Sequence, residues 1–376
     1  MAHTRNFFRK DHRKKLPAKT YLALAEPEVE RVLLIGSAKS GLGNSGSRVN
    51  RRNAELWVGV DFGRPRSASI GMALRKRRKF IIVEGRKPRM VHVAGVIDVS
   101  DNEQLRSWVS DPNNRLILVS VRSGQLEICD RLRRALTATS DTGLPPLLII
   151  PCENRTDPSF RTLKGPGMIR SVVIADACMD RLCKSVDLKW GFAIVRTESF
   201  RYFGVEDVVH SDLENGSVWR RLIDAIGATI ESDIRAVKFR KLLLFNGSHL
   251  VAGCRAILSG FTRLDSSLRK DRENLEFLEM TMAVFERAII AQHPSLASSL
   301  AETARQYQNR MLGEKDTVDR IFNQLFEGDE EGFRGDWTHK IEGPLADVAS
   351  ELPGIREFII ELSLLLHRTL EAVKSR

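Results

Sequence analysis

Apolar residues fall along this chain in two different rhythms. In the first half they gather in short, nearly continuous runs: 30-ERVLLIG-36, 55-ELWVGVDFG-63, 79-KFIIVEG-85, 116-LILVSV-121, 147-LLIIPC-152 and 171-SVVIAD-176. Compact runs of this kind, closed by Gly, Pro or polar residues, predict buried strands. Helical patterns lie between some of them, notably 124-GQLEICDRLRRALTA-138. Strands alternating with helices predict a parallel sheet covered by helices. Beyond residue 205 the strands stop and the rhythm lengthens. In 274-NLEFLEMTMAVFERAII-290, Leu275, Leu278, Met282, Phe285 and Ile289 recur at steps of three and four. That is one face of an amphipathic helix, and its Met and Phe stripe reads as core. Another helix, 355-IREFIIELSLLLHRTLEAV-373, follows near the end. The expected organisation is a basic extension over residues 1–29, an α/β domain over 30–205 and a mainly helical domain over 206–376.

Composition narrows the class. With 376 residues, 42% of them apolar, the chain can bury two substantial cores, and global disorder is excluded. No apolar run approaches the roughly 20 residues of a membrane span. The five cysteines, Cys129, Cys152, Cys178, Cys183 and Cys254, form no regular framework and no zinc-type spacing. They read as buried thiols in a reducing, cytoplasmic setting, with no metal site. The net charge is +11. Much of the excess sits in 5-RNFFRKDHRKK-15 and 75-RKRRKFIIVEGRKPR-89. The first reads as a solvated tail, with RNA or a protein partner as the alternative. The second brackets a short strand with charged flanks. Neither run carries the repeated aromatics that stack bases.

Between the first two strands lies 36-GSAKSGLGNSG-46. A glycine turn between a strand and a helix lets backbone N–H groups approach a pyrophosphate. Two registers compete. Gly41-Leu-Gly43-Asn-Ser-Gly46 matches the written dinucleotide fingerprint but starts five residues after the strand. Gly36-Ser-Ala38-Lys-Ser-Gly41 starts at the strand end, where the tight turn belongs, with alanine at its middle position. The second register is preferred, because position relative to the strand sets the geometry. Asp61 ends the second strand, about twenty residues past Gly41, where an acid accepts the hydroxyls of an adenosine ribose. It favours NAD over NADP, against the pull of Arg64 and Arg66 just beyond.

The segment 241-KLLLFNGSH-249 places a lysine, an asparagine and a histidine inside a leucine run. At about 100° per residue these three share one broad helix face. That face is either solvated or a set of polar groups converging on a substrate. Four segments together resemble the mannitol-1-phosphate 5-dehydrogenases, within the polyol-specific long-chain dehydrogenases. GSAKSGLGNSG is similar to the family's glycine turn, 146-PLLIIPCEN-154 to its strand ending in Cys-Glu-Asn, and 194-IVRTESF-200 to the stretch leading into its substrate domain. The most specific match is Lys241, Asn246 and His249, at the family's spacing of Lys, four residues, Asn, two residues, His. The resemblance spans residues 31 to 370. It implies a Rossmann-type doubly wound sheet followed by a mainly α-helical substrate domain. It also implies NAD as cofactor, and hydride transfer between a polyol or hexitol phosphate resembling mannitol 1-phosphate and its ketose, resembling fructose 6-phosphate. Lys241 is then the acid/base, Asn246 and Asn154 the donors to the reacting oxygen, and His249 an orienting group. Gly36, Ala38, Gly41 and Asp61 hold the cofactor.

The chain departs from the family pattern at three places. Ala38 replaces the middle glycine. Phe239 and Arg240 stand where the family has an acid beside the lysine. The segment 316-DTVDRIFNQLFEGDEEG-332 keeps Arg320, the expected phosphate contact, but turns acidic where the family is basic. These departures leave a second reading open, a catalytically inactive descendant that binds a nucleotide or nucleic acid.

Overall fold

The computed structural model describes residues 29–374, apart from 38–40, 50–53, 86, 122–123, 138–142, 154–157, 164–166, 182, 199–201, 211, 213, 314–317 and 319–329. Ala38, Asn154 and Arg320 therefore lie outside the described residues, as does the N-terminal basic run. Strands β1 (Glu30–Ile35), β2 (Ala54–Val60), β5 (Gly95–Asp98), β6 (Asn114–Val119), β7 (Leu144–Pro151) and β8 (Arg170–Ile174) form one parallel sheet in the order β5-β2-β1-β6-β7-β8. Numbered within this sheet alone, the order is 3-2-1-4-5-6, that of the doubly wound Rossmann type. Consecutive residues of a strand face opposite sides. Val32 and Leu34 of β1 accordingly enter one apolar cluster, and Leu33 and Ile35 enter another. Burial on both sides is why these strands read as unbroken apolar runs. The strand order reverses between β1 and β6, and sheets of this type bind ligands outside the strands' C-terminal ends at that point.

The helices of this half begin with a wide turn over Gly41–Gly46 that runs into the short α1 (Ser47–Val49). Then come α2 (Pro65–Arg77), α3 (Asn102–Ser110), α4 (Gln125–Leu136) and α5 (Gly216–Ala225). Asp101 starts α3 by accepting hydrogen bonds from the backbone N–H groups of Glu103 and Gln104. Pro65 opens α2 with its fixed φ, and Arg78 closes it in the left-handed region. At the far edge of the sheet Arg170 is almost fully buried. Its guanidinium donates to the carbonyls of Pro145, Val109 and Asn114 at 2.6, 3.1 and 2.8 Å. Burial lowers its pKa to about 10, and the carbonyls replace the lost water. One side chain thus ties together the N-terminal ends of β6, β7 and β8.

Two further sheets differ from the sequence expectation. The run 79–85 forms β3 (Lys79–Glu84), yet it lies outside the parallel sheet. It turns back into β4 (Lys87–His92) and pairs with the hairpin of β10 (Cys183–Lys189) and β11 (Phe192–Thr197), in the order β10-β11-β3-β4. Its residues alternate in burial, with Phe80 and Ile82 inward, as in a sheet covered on one face. A third sheet joins β9 (Ala177–Asp180), β12 (Tyr202–Glu206) and β13 (Thr229–Glu231). Strands thus continue past residue 205. Trp219, Leu222 and Ile223 of α5 pack in the same apolar cluster as β1.

The remaining chain is mostly helical. Helix α6 (Ile234–Arg240) runs through a segment of i→i+5 bonding, Lys241–Gly247, into α7 (Ser248–Leu258). Helices α8 (Leu264–Lys270), α9 (Arg272–Gln292), α10 (Ala297–Gly313), α11 (Glu330–Trp337) and α12 (Ile355–Lys374) surround it. Their shared core includes Leu243, Leu278, Met282, Phe285, Trp337 and Leu362. Among the described residues no helix is long and apolar enough to cross a membrane.

Candidate active site

The glycine turn stands at the C-terminal end of β1, beside β6. Gly36 has φ +128, and a Cβ there would lie 2.2 Å from the Ser120 carbonyl oxygen. A Cβ on Gly41 would lie 1.9 Å from the Gly36 carbonyl oxygen. The two glycines therefore close on each other in a turn that no side chain fits. Gly43 and Gly46 face protein instead. A Cβ on Gly43 would meet Cys183 Sγ at 1.9 Å, and one on Gly46 would approach Leu34 and Phe80. All five cysteines are buried thiols outside any disulfide. Ser120, at the end of β6, donates from Oγ to Glu153 at 3.3 Å, one residue before Asn154.

Asp61 is where an acid at the end of the second strand belongs, but it is already engaged. Its carboxylate lies 3.4 Å from Arg64 Nε and 3.3 Å from Arg131 Nη1. It also accepts from the Gly63 backbone N–H at 3.0 Å. Arg66 turns away and donates to the Val186 carbonyl at 3.4 Å.

The polar residues of 241–249 are not a solvated face. Lys241, Asn246 and His249 retain only 8%, 9% and 7% of their surface. The regular α-helix expected there widens into i→i+5 bonding over Lys241–Gly247. In an α-helix a residue five positions on is rotated well away; the wider turn brings Asn246 back towards the side of Lys241. Lys241 Nζ donates to the Met179 carbonyl of β9, and Ser45 of the glycine segment donates to the Met179 sulfur at 3.4 Å. Met179 thus joins the two motif segments, which lie far apart in sequence. His249 stacks on Phe245, with ring centroids 5.5 Å apart. The Asn246 amide lies nearly buried in the same segment.

Three charged residues of this cluster carry no mark in the sequence. Asp180, at the end of β9, lies in the field of both Arg310 and Lys241. Its burial opposes ionisation, yet those two cations hold its pKa below the ordinary value. Arg310 of α10 donates from Nη1 to Asp180 at 2.8 Å and from Nε to Glu198 at 2.6 Å, with Nη2 on the other Glu198 oxygen. Its guanidinium lies 3.8 Å from the centre of the Phe245 ring. Next to Asp180, Arg181 donates to the Gly43 carbonyl at 2.9 Å and to Glu84 at 2.8 Å. Asp180 thus brings a carboxylate from the sheet side into the field of Lys241. Tyr307 of α10 also hydrogen-bonds Asp180, and its own buried hydroxyl is pushed well above the ordinary range by burial and that carboxylate. The buried Ser248 hydroxyl has no hydrogen-bond partner among the described residues. A buried hydroxyl left unpaired in the same segment as Asn246 marks a place where a ligand's hydroxyl can bind. Sequence gave no cue to these residues: Asp180 sits in an ordinary strand end, ACMD, and Arg310 in a helix rich in polar residues. Glu198 does fall within the matched segment 194–200.

The sequence matches no family model and no curated protein. Its fold is similar to solved structures at low identity. Pseudomonas fluorescens mannitol 2-dehydrogenase, in a ternary complex with NAD and D-mannitol, shares 14% identity at a TM-score of 0.56, covering 91% of this chain and 82% of that one. A D-sorbitol dehydrogenase in substrate-free form gives 12% and 0.58, with 91% and 81% covered. A D-mandelate dehydrogenase with NADH and anilino(oxo)acetate gives 10% and 0.53, with 92% and 99% covered.

Proposed function

We propose that the chain is an NAD-dependent oxidoreductase acting on a CH–OH group of a polyol or hexitol phosphate, resembling mannitol 1-phosphate, and yielding a ketose resembling fructose 6-phosphate. The observation that carries this reading is the burial of Lys241, Asn246 and Asp180 together, joined through Met179 to the glycine turn. The Gly36–Gly41 turn fits a dinucleotide, since both positions exclude a Cβ and the turn begins at the end of β1. NAD, when bound, supplies the hydride acceptor. Lys241 takes the hydroxyl proton during oxidation and returns it during reduction. Asn246, with Asn154, donates to the oxygen as negative charge builds on it. Asp180 balances the charge that Lys241 gains when it takes the proton. His249, held flat on Phe245, orients the substrate. The cluster is closed to bulk water, which strengthens each of these contacts. The test is titration with NADH, followed by turnover assays on hexitols, hexitol phosphates, ketose phosphates and 2-hydroxy acids. Absence of NADH binding, or turnover confined to hydroxy acids, rejects the reading.

Two expected results refine it. NADH binds more tightly than NADPH, because an acid at the end of the second strand, here Asp61, would repel a 2′-phosphate. The margin is held down by Arg64 and Arg131, which already neutralise that acid. Arg131→Ala therefore widens the preference by roughly tenfold, about 1.4 kcal/mol for one charged contact. A narrower preference in the variant assigns control to Arg64 instead. Arg320→Ala raises KM for a phosphorylated substrate and leaves its unphosphorylated analogue unchanged, as a direct phosphate contact requires. Equal effects on both remove Arg320 from the phosphate site.

A further inference from the structure

The cations of 75–89 take no part in the chemistry above. The last turn of α2 presents Arg75, Lys76 and Arg77, followed by Arg78, all exposed. Arg75 stacks on Phe62 and Arg77 on Phe192, at 4.1 and 4.7 Å. Arg78 donates to the Ala94 carbonyl. These guanidiniums are held by rings and carbonyls, so their charge is not cancelled by acids. On α2, β3, β4, β10 and β11 the acids are Glu84 and Asp187 alone. Both already face arginines, Glu84 with Arg89 and Arg181, and Asp187 with Arg196. The whole layer is therefore strongly positive.

An aromatic stands in this layer that the basic run itself lacks. Trp190 lies 113 residues from Arg77 along the chain, yet Arg77 donates to its carbonyl at 3.4 Å. It occupies the tip of the β10–β11 hairpin, 82% exposed. Trp190 and Gly191 have φ of 52 and 74, the two left-handed positions of a two-residue hairpin turn. Asn, Asp or Gly fits such a position easily; tryptophan is strained there. An indole this exposed, on a backbone position that tryptophan rarely adopts, buries little apolar surface in this fold. It is suited to stacking on a flat partner.

We propose that this face binds single-stranded nucleic acid, with the cations on the phosphates and Trp190 stacked on a base. A second copy of the chain would bring like charges together. A lipid surface needs apolar side chains grouped at one tip, whereas Met72, Met90 and Leu188 are exposed on three different elements. A flexible polyanion with π faces satisfies both features of the patch.

The test uses the full chain and a fluorescent oligothymidylate, in the presence and absence of saturating NADH. Binding is expected to weaken with salt, each phosphate contact adding about 0.7 to the slope of log K against log salt. Lys76→Glu combined with Lys87→Glu lowers that slope. Trp190→Asn keeps the turn geometry and weakens binding by roughly five- to a hundredfold, while Trp190→Phe restores most of it. NADH leaves the oligonucleotide in place. The proposal is overturned by absence of binding at low salt or by equal affinity of the variants. It is also overturned by displacement with NADH, which would place the oligonucleotide in the cofactor cleft. Binding to phosphatidylserine vesicles without binding to the oligonucleotide assigns the face to a membrane and overturns it too.

Discussion

Lys241→Ala lowers the rate of hydride transfer by roughly a hundredfold to ten-thousandfold, the usual worth of a positioned acid/base, while NADH titrates as it does with the unaltered chain. The two outcomes separate because the residues proposed to hold the cofactor, at the ends of β1 and β2, are not those of the Lys241 segment. Removing the amine leaves the substrate hydroxyl with no group to take its proton. It also leaves Asp180 with one cation instead of two, so the test needs a control for misfolding. Lys241→Met keeps the length and apolar stem of the side chain; equal losses in both variants, with unchanged thermal unfolding, assign the loss to chemistry. Asn246→Ala costs about 3 kcal/mol in the transition state, the loss of one donor to the reacting oxygen. His249→Ala costs less, since it works through orientation. Retention of most of the turnover by Lys241→Ala, on a substrate identified by the panel, removes the lysine from the reaction.

Arg310→Met destabilises the chain by roughly 3–5 kcal/mol, the cost of leaving buried charges without their partner. The side chains of Asp180 and Glu198 are each only 1% exposed. Methionine fills much of the space and keeps an apolar contact with Phe245, so the loss reports charge rather than a cavity. Arg310→Lys does not rescue it, because one ammonium cannot serve both carboxylates with the planar fork that arginine provides. The pH dependence gives an independent check. Arg310 and Lys241 outweigh burial and hold Asp180 below its ordinary value of 3.8. Its contribution to stability is therefore complete above that value and is lost as pH falls through the lowered native pKa. The gap between the two chains is widest near neutrality and narrows in acid. Urea unfolding across pH measures it. A constant gap, or a loss below about 1 kcal/mol, would show that the triad does not hold α10 to β9 and β11.

What the sequence determined was the local pattern and the order of elements. The runs of β1, β2, β6, β7 and β8 were legible because both faces of a covered parallel sheet must be apolar. The long amphipathic helices were legible because one face repeats at steps of three and four. The polar group Lys241, Asn246 and His249 was visible through its spacing alone, as was the glycine turn. The tertiary structure decided whatever depends on pairing between distant segments. The run at 79–85 reads like any other strand, but its partner is β11, so it belongs to a different sheet. Strands β9, β10 and β12 are short and mixed in polarity, and a strand of that kind is stabilised by its neighbours more than by its own sequence. The widened turn at Lys241–Gly247 depends on how α6 and α7 pack, and propensity does not encode it. The charged cluster draws Asp180 from β9, the adjacent Glu198 from the end of β11 and Arg310 from α10. Trp190 reaches the basic run from a hairpin in another part of the chain. In each case an ordinary side chain takes its meaning from a neighbour remote in sequence: burial raises the cost of an unmatched charge, and only the folded chain shows which charges are matched.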